Sequence, residues 1–240
     1  RNVTGVQTCA LPISGCYPHA KFYGVDFLDS HIRTAEILST RGGLDNTTFL
    51  KKSFTQLEAK DIPPLDFAIM HGVLSWIDEP TRNTLVADAA MRLKPGGMLL
   101  TGTNAMPGWA AKLPIRNMVY SLTKDSESSL DRAKTGLAWL QKLKKAQVKY
   151  FRDNPALAEA VDELARLDPR YMAHEYFNQN LRAFYFAEMK ALMEQHGLKF
   201  AGTGTFFLNL IDLAVPPELH EEFRQVKSRA ELEEIGRAHV

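Results

Sequence analysis

The first hundred residues alternate between short apolar runs and longer amphipathic stretches. The apolar runs are rich in β-branched and aromatic side chains, as buried strands are, and they cover residues 21–26, 47–51, 65–70 and 98–101. Helical spacing fills residues 29–41, which end at Gly42-Gly43, and returns at Pro80, a residue suited to the first turn of a helix. Apolar positions share one face of that second helix: Leu85, Val86, Ala89 and Leu93. Alternating strands and helices predict a parallel sheet with crossover helices.

The pattern changes after about residue 113, and no strand is predicted again before residue 180. Residues 129–151 place apolar side chains near helical spacing, Asn154-Pro155 begins another helix, and Asp168-Pro169 interrupts it. We therefore expect a helical insertion or subdomain over residues 111–182.

Strand signals return late in the chain. A helix over residues 184–196 is closed by Gly197, and apolar runs follow at residues 198–202 and 206–210. Only residues 203–205 separate these two runs, too few for a parallel crossover. The pattern predicts an antiparallel hairpin.

Both ends of the chain have an unusual relation at the level of DNA. The segment Ala10 to Ile13 can be encoded by GCT CTT CCG ATC, and the reverse complement of that string, read one base in, encodes residues 235–238. The longer segments 1–13 and 235–240 resemble in-frame translations of sequencing adapters, and such segments are set aside before a fold is inferred. The expected divisions are an α/β core over residues 14–110, the helical subdomain over 111–182, a return to the core over 183–214, and a further helical region over 215–234.

Composition excludes several classes of function. The chain has 240 residues, 45% of them hydrophobic and 24% charged, with a net charge of +1, so nothing global favours nucleic acid or a membrane surface as a partner. No apolar run approaches the ~20 residues of a membrane span. With Cys9 in the adapter-like segment, Cys16 is the one natural cysteine, which fits a reducing cytoplasm and excludes a disulfide framework.

A group of lysines in the predicted helical region is a candidate site for a partner. It contains four lysines within the helical region, at positions Lys142, Lys144, Lys145 and Lys149. They form either a basic face for an acidic partner or an ordinary solvated helix face.

Asp26 is the first residue with candidate chemistry. An acid at the carboxyl end of a Rossmann-type strand can accept hydrogen bonds from the two ribose hydroxyls of an adenosyl cofactor. Aspartate is equally common as a helix cap, and a helix begins three residues later. The residue alone leaves both roles open.

The order of elements resembles the class I S-adenosylmethionine-dependent methyltransferases, an α/β fold with a Rossmann-like sheet and an antiparallel terminal hairpin. The turn at residues 93–99 (Leu-Lys-Pro-Gly-Gly-Met-Leu) is similar to the turn before their fifth strand. Residues 71–76, 104–109 and 174–178 resemble one bacterial subfamily, whose members carry a helical methyltransferase regulatory domain after the core. Some members are protein-lysine methyltransferases. The resemblance extends from Gly15 to about Leu210.

The resemblance implies roles for particular residues. Asp26 would hold the ribose of S-adenosylmethionine, Ser53 and Phe54 would border the adenine, and His71 and Gly72 would lie beside the methionine part. The substrate side would be formed by Ser75, Trp76, Asn104 and Trp109, because ligands collect at the carboxyl ends of strands. Many class members have Asp where Ser53 stands.

Structural roles compete with these assignments. Trp76 and Trp109 can serve as packing residues, His71 as a hydrogen-bonded wall residue, and residues 174–176 as a lock of the helical part against the core. No residue stands out as a catalytic base, and no pattern suggests a metal site. Methyl transfer needs little acid–base chemistry, because the enzyme chiefly aligns a nucleophile with an activated methyl group.

The main departure from the family is the glycine-rich loop. The family's first strand and Gly-x-Gly turn belong just before Gly15, where the adapter-like segment stands. Without that strand the sheet lacks its central member, and we expect residues 1–240 not to transfer methyl groups although the parent protein should. Two other functions stay open: a nicotinamide-dependent oxidoreductase, disfavoured by the predicted hairpin, and a non-catalytic binding protein of the same fold. The methyl acceptor, a protein side chain or a small molecule, is left open.

Overall fold

The structure of the chain, a computed structural model, describes residues 5–236, and it describes side chains over residues 10–234. The adapter-like ends fall partly outside the described residues, at positions 1–4 and 237–240. The chain divides into two compact units. Unit 1 consists of the residues up to Gly102 together with Ala191–Lys199, and unit 2 of Thr103–Lys190 and the residues from Phe200 onward.

Unit 1 contains four parallel strands arranged as two separate pairs. Strand β1 (Phe22–Asp26) pairs with β2 (Thr47–Lys51), in a register that sets Phe22 beside Thr47. Strand β3 (Leu65–His71) pairs with β4 (Leu93–Gly102), in a register that sets His71 beside Gly102. The strands predicted from the apolar runs are thus confirmed in place, but no strand of the described residues joins the two pairs into one sheet.

The β3–β4 pair has an apolar face that is exposed to solvent. Alternate residues on this face are each about half exposed or more: Phe67, Ile69, Met98 and Leu100. Side chains two apart on a strand share a face, and the register places Phe67 beside Met98 and Ile69 beside Leu100. Parallel sheets are normally covered on both faces, whereas these four side chains are open to solvent.

Three helices complete the main part of unit 1. Helix α1 (Gly5–Cys16) includes Pro12, and Asn46 closes its carboxyl end by donating from its amide to the backbone oxygens of Ser14, Tyr17 and Ala20. Helix α2 (Asp29–Arg41) ends at Gly42, with Gly43 in the left-handed region at φ 64°, as predicted. Helix α3 (Glu79–Arg92) is capped by Asp78, whose carboxylate accepts from the backbone N–H of Thr81, and Pro80 lies in its first turn.

The predicted turn at residues 94–97 lies within β4. The β3–β4 register shifts between Leu65 and Phe67 to accommodate it. Gly96 is at φ 81°, and a Cβ on Gly97 would lie 2.9 Å from the backbone oxygen of Lys94. Both glycines are required by this local path of the chain.

Unit 2 is helical where the sequence predicted no strands. Its first helices are α4 (Lys112–Leu122), α5 (Ser129–Lys145), α6 (Lys149–Arg152), α7 (Pro155–Arg166) and α8 (Pro169–Glu175). Proline opens both α7 and α8, where its missing N–H costs little. These helices surround one apolar core, formed mainly by Ile115, Val119, Leu140, Phe151, Val161, Leu164, Met172 and Phe177.

The remaining helices are short. They are α9 (Phe186–Glu194), α10 (Ile211–Ala214), α11 (His220–Arg224) and α12 (Arg229–Gly236), with 3-10 turns at Phe54–Gln56, Phe206–Asn209 and Pro217–Leu219. Gly197 follows α9 in the left-handed region, as expected for a helix stop.

The predicted antiparallel hairpin is wrong. Residues 198–202 lie in no strand, and Phe206–Asn209 forms a 3-10 turn. Asn209 explains the difference, because its side chain accepts from the N–H of Thr203 and donates to the Thr203 backbone oxygen, both at 2.9 Å. These side-chain bonds occupy the groups that a strand ladder would use, and an isolated two-stranded hairpin is marginal in any case.

Candidate functional site

Asp26 ends β1 and begins the approach to α2. One carboxylate oxygen accepts from the backbone N–H of Leu28 at 2.9 Å, and the other lies 2.8 Å from Nδ1 of His31. The Asp26 side chain is 17% exposed. Asp26 therefore accepts from the residue that precedes α2, whereas no side chain caps the first turn of that helix, so the capping role left open from the sequence is not observed. Each carboxylate oxygen can accept more than one hydrogen bond, so these contacts leave acceptor capacity toward a ligand.

Ser53 and Phe54 follow the neighbouring strand. Asp26 is paired with Lys51 across β1 and β2, so the two strands place all three residues at the same sheet edge. Ser53 caps the 3-10 turn at Phe54–Gln56, and its backbone N–H donates to the Gln56 side chain at 3.3 Å. Its hydroxyl lies 3.1 Å from that of Thr55, and Phe54 is half-buried. Ser53 is thus a local cap just beyond the carboxyl end of β2.

His71 and Gly72 end β3 in the other strand pair. Gly72 is at φ 68°, and its N–H donates to the backbone oxygen of Gly102 at 2.9 Å. A Cβ on Gly102 would lie 2.4 Å from Nδ1 of His71, so the His71 ring lies against the end of β4. This contact supports the role of His71 as a wall residue at the carboxyl end of the strands.

Ser75 and Trp76 lie in the loop after β3. Ser75 is fully buried, and the ring of Trp76 would be 3.1 Å from a Cβ on Gly72. The loop is held by Arg82 of α3, which is 3% exposed and donates to the backbone oxygens of Leu74 at 2.9 Å and Ile77 at 2.6 Å. Sequence reasoning missed Arg82, because a buried arginine cannot be told from an exposed one by its place on a helix.

Asn104 and Trp109 belong to unit 2. The backbone oxygen of Asn104 accepts from the N–H of Phe184, and this contact belongs to an isolated parallel bridge between Ala105 and Phe184. Trp109 is 8% exposed and packs on Tyr176, with ring centroids 5.4 Å apart. Trp109 therefore has a packing role.

Residues 174–178 lie at the end of α8 and are fastened to α4. The guanidinium of Arg116 donates to the backbone oxygen of Asn178 at 2.7 Å, and the hydroxyl of Tyr120 donates to that of Phe177. These bonds lie within the helical unit, so the alternative that residues 174–176 lock the helical part against the core stays a prediction. Burial raises the pKa of Glu175, and the positive charges of His174 and Lys112 partly offset the effect.

The predicted lysines mostly have local partners. Lys144 pairs with Asp162 at 2.5 Å, Lys149 pairs with Asp153, and Nζ of Lys142 lies 5.2 Å from the Trp139 ring centroid. A cleft of about 420 Å³ opens beside them, lined by Gln141, Lys144, Lys145, Gln147, Phe151, Arg152, Ala158 and Asp162. Predicted cofactor residues do not line it. The local pairing favours a solvated helix face over a surface for an acidic partner.

Two negative findings concern residues 5–236. Within this range, no three His, Cys, Asp or Glu side chains are grouped so that they could hold a metal ion. None of the helices described there is both long and apolar enough to cross a membrane.

Comparison with known proteins supports the resemblance. Residues 168–235, which extend from α8 into α12, match the family model described as "Predicted methyltransferase regulatory domain". This segment matches a methyltransferase regulatory domain. The match begins at Asp168, within the strand-free region that the sequence predicted.

Relatives with curated sequences are longer than this chain. An uncharacterized protein of Synechocystis sp. is 35% identical over 192 residues, which are 80% of this chain and 38% of the relative. An uncharacterized protein of Rickettsia prowazekii is 25% identical over 223 residues, which are 90% of this chain and 39% of the relative. The chain thus spans about two fifths of the length of these two relatives.

Solved structures establish the fold. PKMT2 from Rickettsia typhi matches with a TM-score of 0.75 and 18% identity, covering 95% of this chain and 43% of that protein. The same protein in complex with AdoHcy matches with a TM-score of 0.75 over 94% of this chain. The α/β fold expected from the strand and helix pattern is confirmed.

Proposed function

We propose that this chain is part of an S-adenosylmethionine-dependent methyltransferase that acts on a protein side chain or a small molecule. The observation that carries the proposal is the structural likeness to PKMT2, which has been solved with AdoHcy, the product left when S-adenosylmethionine loses its methyl group. The regulatory-domain match over residues 168–235 supports the same activity independently.

The residues at the strand ends fit such a cofactor. Asp26 offers acceptors to the ribose hydroxyls beside Ser53 and Phe54, and Gly72 provides a backbone path without a Cβ next to His71. The sulfonium supplies an already activated methyl group. What the protein must do is hold the donor and the acceptor in line and keep water away. Ser75 and Trp76 are the proposed substrate-side residues of unit 1, and Asn104 and Trp109 are those of unit 2.

The argument against an oxidoreductase changes once the structure is known. The predicted hairpin was the argument against it, and the described residues form no hairpin there. The argument now depends on the regulatory-domain match and the PKMT2 likeness. A non-catalytic binding protein of the same fold would bind the cofactor without turnover, which the assay below distinguishes.

We also propose that a fifth parallel strand joins β1 to β3 in the intact protein. Its support is the division of the strands into two pairs and the exposed apolar face of β3–β4. Unpaired backbone groups on inner strands need partners. Residues 1–240 should therefore show no turnover beside an active full-length protein, and comparable turnover in both would contradict this proposal.

The test of cofactor binding is substitution of Asp26 in the full-length protein. Loss of an acceptor for the ribose hydroxyls costs about 1–3 kcal/mol, so Asp26→Ala should weaken S-adenosylmethionine binding roughly 5- to 150-fold in calorimetry. Asp26→Asn keeps an acceptor for the Leu28 N–H and so separates the ligand role from this local hydrogen bond. Asp29→Ala, an exposed acid at the start of α2, is the matched control. Unchanged affinity in a folded Asp26→Asn variant would rule out the ribose role.

A further inference from the structure

Lys112 lies over two aromatic rings that come from distant parts of the chain. Its Nζ atom is 5.2 Å from the ring centroid of Trp109 and 5.7 Å from that of Tyr176. The two rings meet at an interplanar angle of 37°, so they form two walls of one corner. An ammonium group within about 6 Å of an aromatic centroid is attracted by the negative face of the ring. The corner therefore already holds an alkylammonium group, that of the chain's own lysine.

The position of Lys112 is not explained by its helix. It is the first residue of α4, where the helix dipole disfavours a positive charge. No ion pair holds its ammonium within the part of the chain that the structure describes. The rings, together with the charge of Glu175, are the groups that interact with it.

The three side chains of the corner differ in burial. Trp109 is 8% exposed and is thus fixed by packing, whereas Lys112 and Tyr176 are half-buried. A lysine side chain is long and flexible, so its withdrawal would open the ring faces without moving the backbone. The neighbouring groups that titrate are Glu175, His174 and Tyr171, and Glu163 acts on Tyr176. An acid beside the rings favours a cationic ligand over an anionic one.

We propose that Trp109 and Tyr176 form a binding site for the ammonium group of a protein lysine side chain, and that Lys112 is an internal occupant which this ligand displaces. The identification of that lysine as the methyl acceptor rests on the proposed methyltransferase function. Ammonium binding itself does not depend on it. The site would give the protein a preference for lysine-bearing partners.

The chain offers a matched control for the test. Nζ of Lys142 lies 5.2 Å from the ring centroid of Trp139, the same distance as between Lys112 and Trp109. Trp139 is 40% exposed, and no second ring is paired with it in the described residues. Removal of Lys142 therefore exposes a lone ring face, whereas removal of Lys112 exposes a corner of two.

The experiment is a titration of the 240-residue chain with choline, followed by fluorine NMR of 5-fluorotryptophan. The neutral isostere 3,3-dimethylbutan-1-ol is titrated in parallel, with sodium chloride as the salt control. Lys112→Ala should bind choline at least about fivefold more tightly than the unsubstituted chain, and the isostere at least about fivefold more weakly than choline. The Trp109 signal should shift, and Tyr176→Leu in the Lys112→Ala background should remove the gain. Lys142→Ala should show no gain in choline affinity over the unsubstituted chain.

Several results would overturn the proposal. These are an unchanged choline affinity in Lys112→Ala, equal binding of the neutral isostere, or an equal gain in Lys142→Ala. Circular dichroism of each variant checks the helices, and Lys112→Gln provides a second removal of the charge if the alanine variant unfolds. Because the titration contains no methyl donor, its failure leaves cofactor binding by Asp26 untouched. Conversely, a failed Asp26 test leaves ammonium binding untouched.

Discussion

Gly136 lets α5 approach Val119 of α4 closely, and this contact allows the packing of unit 2 to be tested quantitatively. An ideal Cβ on Gly136 would lie 2.3 Å from Cγ1 of Val119 and 3.1 Å from its Cγ2. Carbon atoms normally meet at about 3.5–4.0 Å. Both residues are buried, and Val119 is fully so. The substitution Gly136→Ala must therefore displace a core side chain or separate the two helices.

The magnitude follows from two opposing effects. Overpacking of a core by a methyl group costs about 1–3 kcal/mol, and the steep overlap here favours the upper half of that range. Replacing glycine by alanine within a helix returns about 1 kcal/mol. Gly136→Ala should thus lower the free energy of unfolding by about 1–2 kcal/mol.

The decisive measurement places the same substitution in a Val119→Ala background. Val119→Ala alone removes two buried methyl groups and should cost about 2 kcal/mol. Of the Val119 atoms near the new Cβ, only the Cβ of residue 119 then remains, at 3.2 Å, so the clash is largely relieved. In this background Gly136→Ala should stabilise the protein by up to about 1 kcal/mol, because it fills the cavity and favours the helix.

Urea unfolding gives these free energies, with the fluorescence of Trp139 in α5 and far-ultraviolet circular dichroism as two probes. The change of sign between the two backgrounds is the essential result. If Gly136→Ala is neutral or stabilising in the unsubstituted chain, or destabilises both backgrounds equally, the close approach of α4 and α5 is refuted.

The remaining predictions concern charged groups. Arg92, which is 7% exposed, donates to both oxygens of Asp88 and to the backbone oxygens of Glu58 and Ile62. Arg92→Met should cost about 3–5 kcal/mol in urea unfolding, because it leaves Asp88 without its partner in a side chain 14% exposed. The exposed Arg33→Met, which removes a surface pair with Asp29, should cost less than about 1 kcal/mol, and similar losses would contradict the argument. For Glu175, burial raises the folded-state pKa above the usual 4.5, so ionisation destabilises the fold as the pH rises from 4.5 through the folded value. Glu175→Gln should therefore match the unsubstituted chain in melting temperature at pH 4 and exceed it at pH 7, and an equal difference at both pH values would contradict the effect.

The outcome at Asp26 shows how far local reasoning about a site can go. The sequence placed an acid at the end of a strand before a helix, and this placement is correct. Whether its oxygens meet a backbone N–H, a histidine or a ligand depends on how the loop returns toward His31. That geometry is set by the meeting of β1, α2 and β2, which no spacing along the chain encodes.

The sequence by itself determined the elements whose ends carry their own chemistry. Asp78, Pro80 and the Gly42-Gly43 pair set helix boundaries through hydrogen bonds and backbone angles that act within a few residues. The apolar runs, rich in β-branched and aromatic residues, predicted all four strands of unit 1 because this preference for strands belongs to each residue. Proline likewise gave the starts of α7 and α8.

Only the tertiary structure decided the features that depend on long-range partners. Residues 198–210 have the pattern of a hairpin, yet Asn209 bonds to Thr203 and the run becomes a 3-10 turn. Lys112 reads as an ordinary helix residue, and only the packing of Tyr176 on Trp109 places its ammonium over two rings at once. A strand also needs a neighbour, so the division of four strands into two pairs could not be read from their sequences. Local propensity specifies each element, whereas burial, pairing and charge environment arise from residues that meet only after folding.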